Sequence, residues 1–198
     1  MKGRKLSKRQ CEIVDASLKL IAEKGIQQLT IRNISSAVGV TEAAIYRHFS
    51  GKTEIIQALV LRFEGDVNVL GGLRGWAAIE AAMKRRTELV LANPDLARVL
   101  FAEELFKDTE EVAQLLHGMM HRHREIMESH FREAVSDGAI RSDIPMDTLF
   151  RLIFGPLRLL IKQWGLSGCA FDLRGKQDEL LGLMKELLAP REQSSPGS

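Results

Sequence analysis

Cysteine is nearly missing from this chain. Cys11 and Cys169 are the only two in 198 residues. Thiols so few and so far apart provide no disulfide framework and no Cys-x-x-Cys pair, and a reducing cytoplasm is the simplest setting. Long apolar runs are missing too: no segment approaches the roughly 18 apolar residues that a membrane span requires. The N-terminus is basic but has no apolar centre or cleavage site, so it does not read as a signal peptide. Strong net charge is also lacking. At +2 overall the molecule is no polycation, and any attraction to nucleic acid must be local. Catalytic signatures are absent: there is no G-x-S-x-G, no P-loop and no acid–base or nucleophile pair. The reading is of a protein that is not an enzyme and needs no cofactor and no metal.

What is present is helix. Hydrophobic residues make up 45% and charged residues 27%, an ordinary composition for a globular chain. Apolar residues recur three and four apart almost throughout, and no convincing strand appears. The local charge that the average hides lies at the start: Lys2, Arg4, Lys5, Lys8 and Arg9.

The most informative stretch is Thr30 to Lys52. Ile31, Ile34 and Val38 fall at helical spacing, with Thr30 placed to cap that helix. Gly39 supplies a turn position where positive φ costs little. Thr41 is the next cap, and Glu42 suits the dipole of the first turn. Ile45 and Phe49 face inward, leaving Tyr46, Arg47 and His48 more exposed. This is a helix-turn-helix whose second helix can enter a major groove.

Thr30, Ile34, Ala37, Gly39, Val40, Ala44, Tyr46, His48, Phe49 and Lys52 together resemble the DNA-binding signature of TetR-type transcriptional regulators. Val38 stands where that family often has alanine, a small departure. The resemblance is sharp over residues 8–62 and rests beyond them on length and helicity. It implies an all-α fold: an N-terminal three-helix DNA-binding domain (1–62), a helical ligand-binding and dimerisation domain (63–189) and a disordered tail (190–198).

In order, helices are expected from Ser7 to Lys24, over 31–38, over 41–48 and from Lys52. The glycines at 65, 71, 72 and 75 leave the region 65–75 open between hinge and helix. Further helices are expected over 76–92, after an Asp95 cap, from Asp108 to Asp137, from an Asp147 cap to Gly165 with a kink at Pro156, and over 177–189. The last two, about 147–165 and 177–189, are apolar on more than one face. A monomer of this size would struggle to cover both, so they are expected to meet a two-fold mate. The resemblance implies a four-helix bundle there.

A homodimer would read a palindromic operator in double-stranded DNA. Phosphate contacts are expected from the arm, from Thr30 and Arg32, and from Lys52 at a helix N-terminus. The resemblance puts Thr41, Glu42, Ala43 and Tyr46 at the groove. Thr41 and Ala43 suit a thymine methyl, and Glu42 suits a cytosine amino group. Tyr46 and His48 suit phosphates, and Arg47 suits a guanine, a phosphate or a neighbouring acid. Each has a plainer reading: Tyr46 as packing, Glu42 as a helix-dipole residue, Lys52 as a solvated lysine.

For the C-terminal part the resemblance implies a pocket for a small apolar or amphipathic ligand that releases DNA, so that the protein acts as a repressor. Its candidate lining is Met83, Leu100, Phe101, Met119, His123, Ile126, Phe154 and Trp164, although an apolar stripe at helical spacing is most often core. His117 and His121 stand four apart but face away from the stripe and read as solvated surface. His123 and His130 fall on or near it. Arg86, Glu103 and Glu104 carry no assignment. The alternative is a DNA-binding structural factor with the same head that recruits a protein partner and senses no ligand.

Overall fold

The computed structural model describes residues 6–67, 70–99 and 110–191. Among them the chain is helical, with no strand. The order is α1 (Lys8–Lys24), a single 3-10 turn (Ile26–Gln28), α2 (Ile31–Val38), α3 (Glu42–Tyr46), α4 (Lys52–Val67), α5 (Gly75–Ala92), α6 (Asp95–Val99), α7 (Glu110–Ser136), α8 (Met146–Leu166) and α9 (Leu173–Leu188).

Local chemistry sets the first four helices. Ser7 caps α1 in a reciprocal capping box with Gln10, and Gly25 ends it at φ 82°. Thr30 accepts from the Asn33 N–H at 3.1 Å, and Thr41 accepts from the Ala44 N–H at 3.2 Å. Between them Gly39 is left-handed at φ 74°, and its N–H bonds back to the end of α2. A side chain there would be strained, which is why the turn carries glycine. Ile13, Ile34, Ile45, Phe49 and Ile55 bury their side chains together as the centre of this head. α1 packs on α2 and α4, and α2 on α3.

The other helices wrap a second part of the same apolar cluster, through Ile79, Met83, Met127, Phe131, Ile153 and Leu157. α5 packs against α7, α8 and α9, and α7 against α8. Three helix pairings join this half to the head: α1 against α6, and α4 against both α7 and α5. α6 in turn lies on α8, where Ala97 meets Gly165 so closely that a Cβ on Gly165 would sit 2.8 Å from that of Ala97.

Several expectations are corrected. α3 ends at Tyr46, two residues short of the expected helix. Asp95 is the first residue of α6 and not its cap. The cap of α8 is Pro145, whose fixed φ opens a helix at Met146; Asp147 lies in the first turn and pairs with Arg151 and Arg124. α8 continues through Pro156 to Leu166. α9 begins at Leu173, four residues before the expected start. The glycine-rich region is neither all hinge nor all helix. α4 runs to Val67, Gly71 and Gly72 take positive φ in a turn, and Gly75 opens α5. Asp108 and the basic arm at residues 2–5 lie outside the described residues, as does nearly all of the expected tail.

Candidate DNA-reading helix and sensor core

The head exposes side chains along α3 and at the start of α2. Thr41, Glu42, Ala43, Tyr46 and Arg47 are exposed along α3 and its ends, while Ile45 on the opposite side is fully buried. Tyr46 is 55% exposed, which removes the packing reading for it and leaves its phenol free to meet a ligand. Thr30 and Arg32, at the start of α2, are also exposed. His48 is half-buried; its carbonyl accepts a hydrogen bond from Gln10 Nε2 at 3.2 Å, fixing the end of α3 to α1. Lys52 is the first residue of α4, where the positive end of the helix dipole and its own charge favour an anion. Two capped helices and a buried Ile34–Ile45 core therefore hold α3 rigidly, with its polar side outward.

A second exposed feature lies on the last two helices. Leu152, Leu159 and Leu166 follow one another at seven-residue spacing on α8, at 47%, 56% and 78% exposure. Leu183 and Leu187, four apart on α9, are 57% and 73% exposed. The opposite face of α8 buries Leu149, Ile153, Leu157, Ile161 and Trp164. α8 and α9 pack on each other, so both rows belong to one hairpin. Its turn is held by Trp164, whose indole N–H donates to the Phe171 carbonyl at 3.0 Å.

The core between α5, α7 and α8 holds several of the expected pocket residues. Met83 is fully buried; Met119, Ile126 and Phe154 are half-buried and packed on the core. Trp164 is buried but is engaged in the α8–α9 turn. Leu100 and Phe101 lie outside the described residues, as do Glu103 and Glu104. His123 stands edge-on to two rings, with centroid distances of 5.2 Å to Phe154 and 5.9 Å to Phe150. Burial, and then the charge of Arg86, push its pKa down to about 3, so the imidazole is neutral at pH 7. Burial, and then the charge of Arg158, pull the Arg86 guanidinium down to about 10, still charged at pH 7. The Nδ1 of His130 meets the Glu133 carboxylate at 3.2 Å. His117 and His121 are exposed, and His121 lies 3.5 Å from Glu125.

Arg86 is one of the residues that the sequence leaves unassigned. Its signal was its register: Ile79, Met83, Arg86 and Val90 recur four, three and four apart, and the three apolar members are fully buried. Arg86 shares that register and is half-buried, with its Nε enclosed. Thr87 and Gln177, both buried polar residues, gave no comparable signal.

Comparison with known proteins agrees with this architecture. The HTH-type transcriptional repressor KstR2 of Rhodococcus jostii is 27% identical over 153 residues, covering 74% of this chain and 75% of that protein. Among solved structures, the fatty acid degradation regulator FadR of Bacillus halodurans superposes with a TM-score of 0.77 at 20% identity, covering 91% of this chain and 96% of that one. FadR of Bacillus subtilis, solved in complex with stearoyl-CoA, gives 0.71 at 21% identity and covers 88% and 96%. Both structural likenesses speak to the fold. Residues 76–186 match the C-terminal region of YsiA-like proteins, and residues 13–59 match the bacterial regulatory proteins of the tetR family. With both halves matched, the chain belongs to the TetR family of DNA-binding transcriptional regulators.

Proposed function

We propose that two copies of this chain pair through α8 and α9, set their α3 helices on a palindromic operator, and release it when a small amphipathic molecule enters between α5, α7 and α8. The carrying observation is the leucine row Leu152, Leu159, Leu166 with Leu183 and Leu187, turned to solvent on one hairpin. Such a row is costly on a lone monomer and suits a two-fold mate that offers the same row back. A dimer also fixes the separation of two reading helices, which is what a palindrome requires.

In this arrangement residues 1–62 act as the head and 63–189 as the sensor and dimerisation part. Thr41, Glu42, Ala43 and Arg47 face base edges. Thr30, Arg32, Tyr46, His48 and Lys52 hold phosphates. The sensor is lined by Met83, Met119, His123, Ile126 and Phe154. Ligand binding biases one of two head spacings, and the coupling is reciprocal: DNA weakens the ligand by the factor by which the ligand weakens DNA. The contacts of α6 with both α1 and α8 offer a physical route for that coupling.

The inducer class follows from the relatives. One likeness is to a regulator of fatty acid degradation, another to a regulator holding stearoyl-CoA. A long acyl chain suits a core of methionine and phenylalanine side chains that repack easily. The test is selection of bound duplexes from a random library by the purified protein, followed by release of the enriched duplex with acyl compounds. An enriched palindrome released by such compounds is the expected result. Binding without sequence preference would overturn the reading.

A further inference from the structure

Among the described residues, four side-chain atoms are buried without a hydrogen-bond partner: Arg86 Nε, Thr87 Oγ1, His123 Nε2 and Gln177 Nε2. Such atoms are rare in folded proteins because each forfeits its bonds to water. Arg86 and His123 belong together. They project from α5 and α7, are close enough to interact electrostatically, and share a site with Arg158 of α8, whose charge also acts on Arg86. No carboxylate among the described residues pairs with Arg86. The Arg86 side chain as a whole is half-buried, but its Nε is fully enclosed, and an enclosed guanidinium N–H is normally matched by an acceptor. The neutral imidazole beside it can offer its Nε2 as a donor. Two neighbouring residues therefore each hold an enclosed nitrogen for which the described residues supply no acceptor. Phe150 and Phe154 border His123, their ring centroids 5.1 Å apart, and cover it with apolar surface.

We infer that Arg86 and His123 are the specificity-determining residues of the sensor, receiving the acyl oxygen of an amphipathic ligand whose hydrocarbon tail lies among the aromatic and methionine side chains. The inference rests on the reading of this core as the ligand site and adds which end of the ligand is recognised there. The guanidinium donates to the oxygen in a charge-assisted bond, and the imidazole donates a second. The ligand thereby removes the desolvation defect that the free protein carries, so binding is favoured by the core itself. A carboxylate and a thioester present the same acyl oxygen; the carboxylate also brings a negative charge that the Arg86 guanidinium favours.

The experiment is equilibrium binding to the full-length protein without DNA, using dodecanoate, dodecanoyl-CoA and dodecyltrimethylammonium, which share one tail. Dodecanoate or dodecanoyl-CoA should bind the unaltered protein, and the cationic probe should not compete. Arg86→Met should weaken the acyl probe by about ten- to a hundredfold, the range of one charge-assisted bond. Arg86→Lys should recover part of that loss, and His123→Leu should weaken it less than Arg86→Met. Because Arg86→Met removes a half-buried charge whose Nε has no partner, its thermal midpoint without ligand should match or exceed that of the unaltered protein, which separates lost recognition from lost folding. Tighter binding of the free acid assigns a carboxylate ligand, and tighter binding of the thioester a CoA ester. Equal acyl affinity in Arg86→Met and the unaltered protein, or no acyl binding to either, would overturn the inference. Acyl binding that depends on Arg86 but does not release DNA would leave it standing and overturn the inducer reading instead.

Discussion

Glu133 of α7 accepts a hydrogen bond from the backbone N–H of Gly75, 58 residues earlier, at 3.0 Å. The same carboxylate takes Arg74 Nη2 at 2.9 Å and meets His130 Nδ1 at 3.2 Å. One side chain thus anchors the first turn of α5 just after the glycine turn that separates the two halves. The Gly75 N–H and then Arg74 hold the Glu133 carboxyl down to about 2, well below its usual 4.5. A depressed acid contributes stability that is complete above its unfolded pKa and is lost as pH falls toward its folded one. Unfolding followed by circular dichroism should therefore show a loss between about pH 4.5 and pH 2 that Glu133→Gln lacks, with Glu133→Gln less stable at neutral pH. Parallel acid profiles for the two proteins would remove Glu133 from this role.

The Ala97–Gly165 contact makes a second prediction. A Cβ at position 165 would lie 2.8 Å from the Ala97 Cβ and 3.3 Å from its carbonyl carbon, so α6 and α8 must separate. Gly165→Ala should destabilise by about 1–3 kcal/mol, although alanine is the better helix former. Ala97→Gly costs about 1 kcal/mol by itself through helix propensity. In the double variant the two losses should partly cancel, a coupling that a double-mutant cycle in urea reads directly. Strict additivity would mean that the contact carries no strain.

What could be read beforehand divides by the range of the physics. α2 was located to the residue because Thr30 caps it and Gly39 ends it, both within its own span. The start of α9 was missed because Gly175 looks like a breaker. In the structure it sits inside the first turn, where a Cβ would come within 2.5 Å of Asp172 Oδ2; the glycine makes room for the residue before the helix. The leucine rows were legible as helices with too many apolar faces, but which leucines face outward is a tertiary fact. Arg86 carries no assignment from the sequence, although it shares the register of Ile79, Met83 and Val90, and the orphaned Nε2 of His123 depends on neighbours from α5 and α8 that no local pattern specifies.

Those outward leucines carry the third prediction. Leu159→Arg combined with Leu187→Arg places charge on both rows without touching the buried face of either helix. The variant should fold, sediment as a monomer and lose the dependence of its melting temperature on protein concentration. Binding to a palindromic duplex should fall at least about tenfold, because a lone head holds one half-site. A dimer that survives both substitutions would place the interface elsewhere.

His123 supplies a pH prediction of its own. Its ordinary value is 6.5 and its folded value about 3, so the unfolded chain takes up a proton that the folded chain refuses. Stability is unaffected above pH 6.5 and falls as pH drops from there toward 3. The slope is at most about 1.4 kcal/mol for each pH unit, the value of one proton. His123→Leu should flatten the profile in that window, and an acyl ligand should not restore the lost proton uptake. An unchanged slope would mean that the imidazole is reached by water.

The reading surface separates position from sequence. Lys52 stands at the N-terminus of α4, a place for phosphate, and phosphate is the same at every site. Lys52→Ala should weaken all duplexes about equally and lower the salt dependence of binding by about one counterion. Glu42 stands exposed in the first turn of α3, where a carboxylate can accept from a cytosine amino group. Glu42→Ala should change which base is preferred at one position in each half-site, by about 1–3 kcal/mol between the best and the worst base. Both are read in one experiment, competition among single-base operator variants at two salt concentrations. If Glu42→Ala instead weakens every duplex equally, Glu42 serves the helix dipole, and the specificity of α3 rests on Thr41, Ala43 and Arg47.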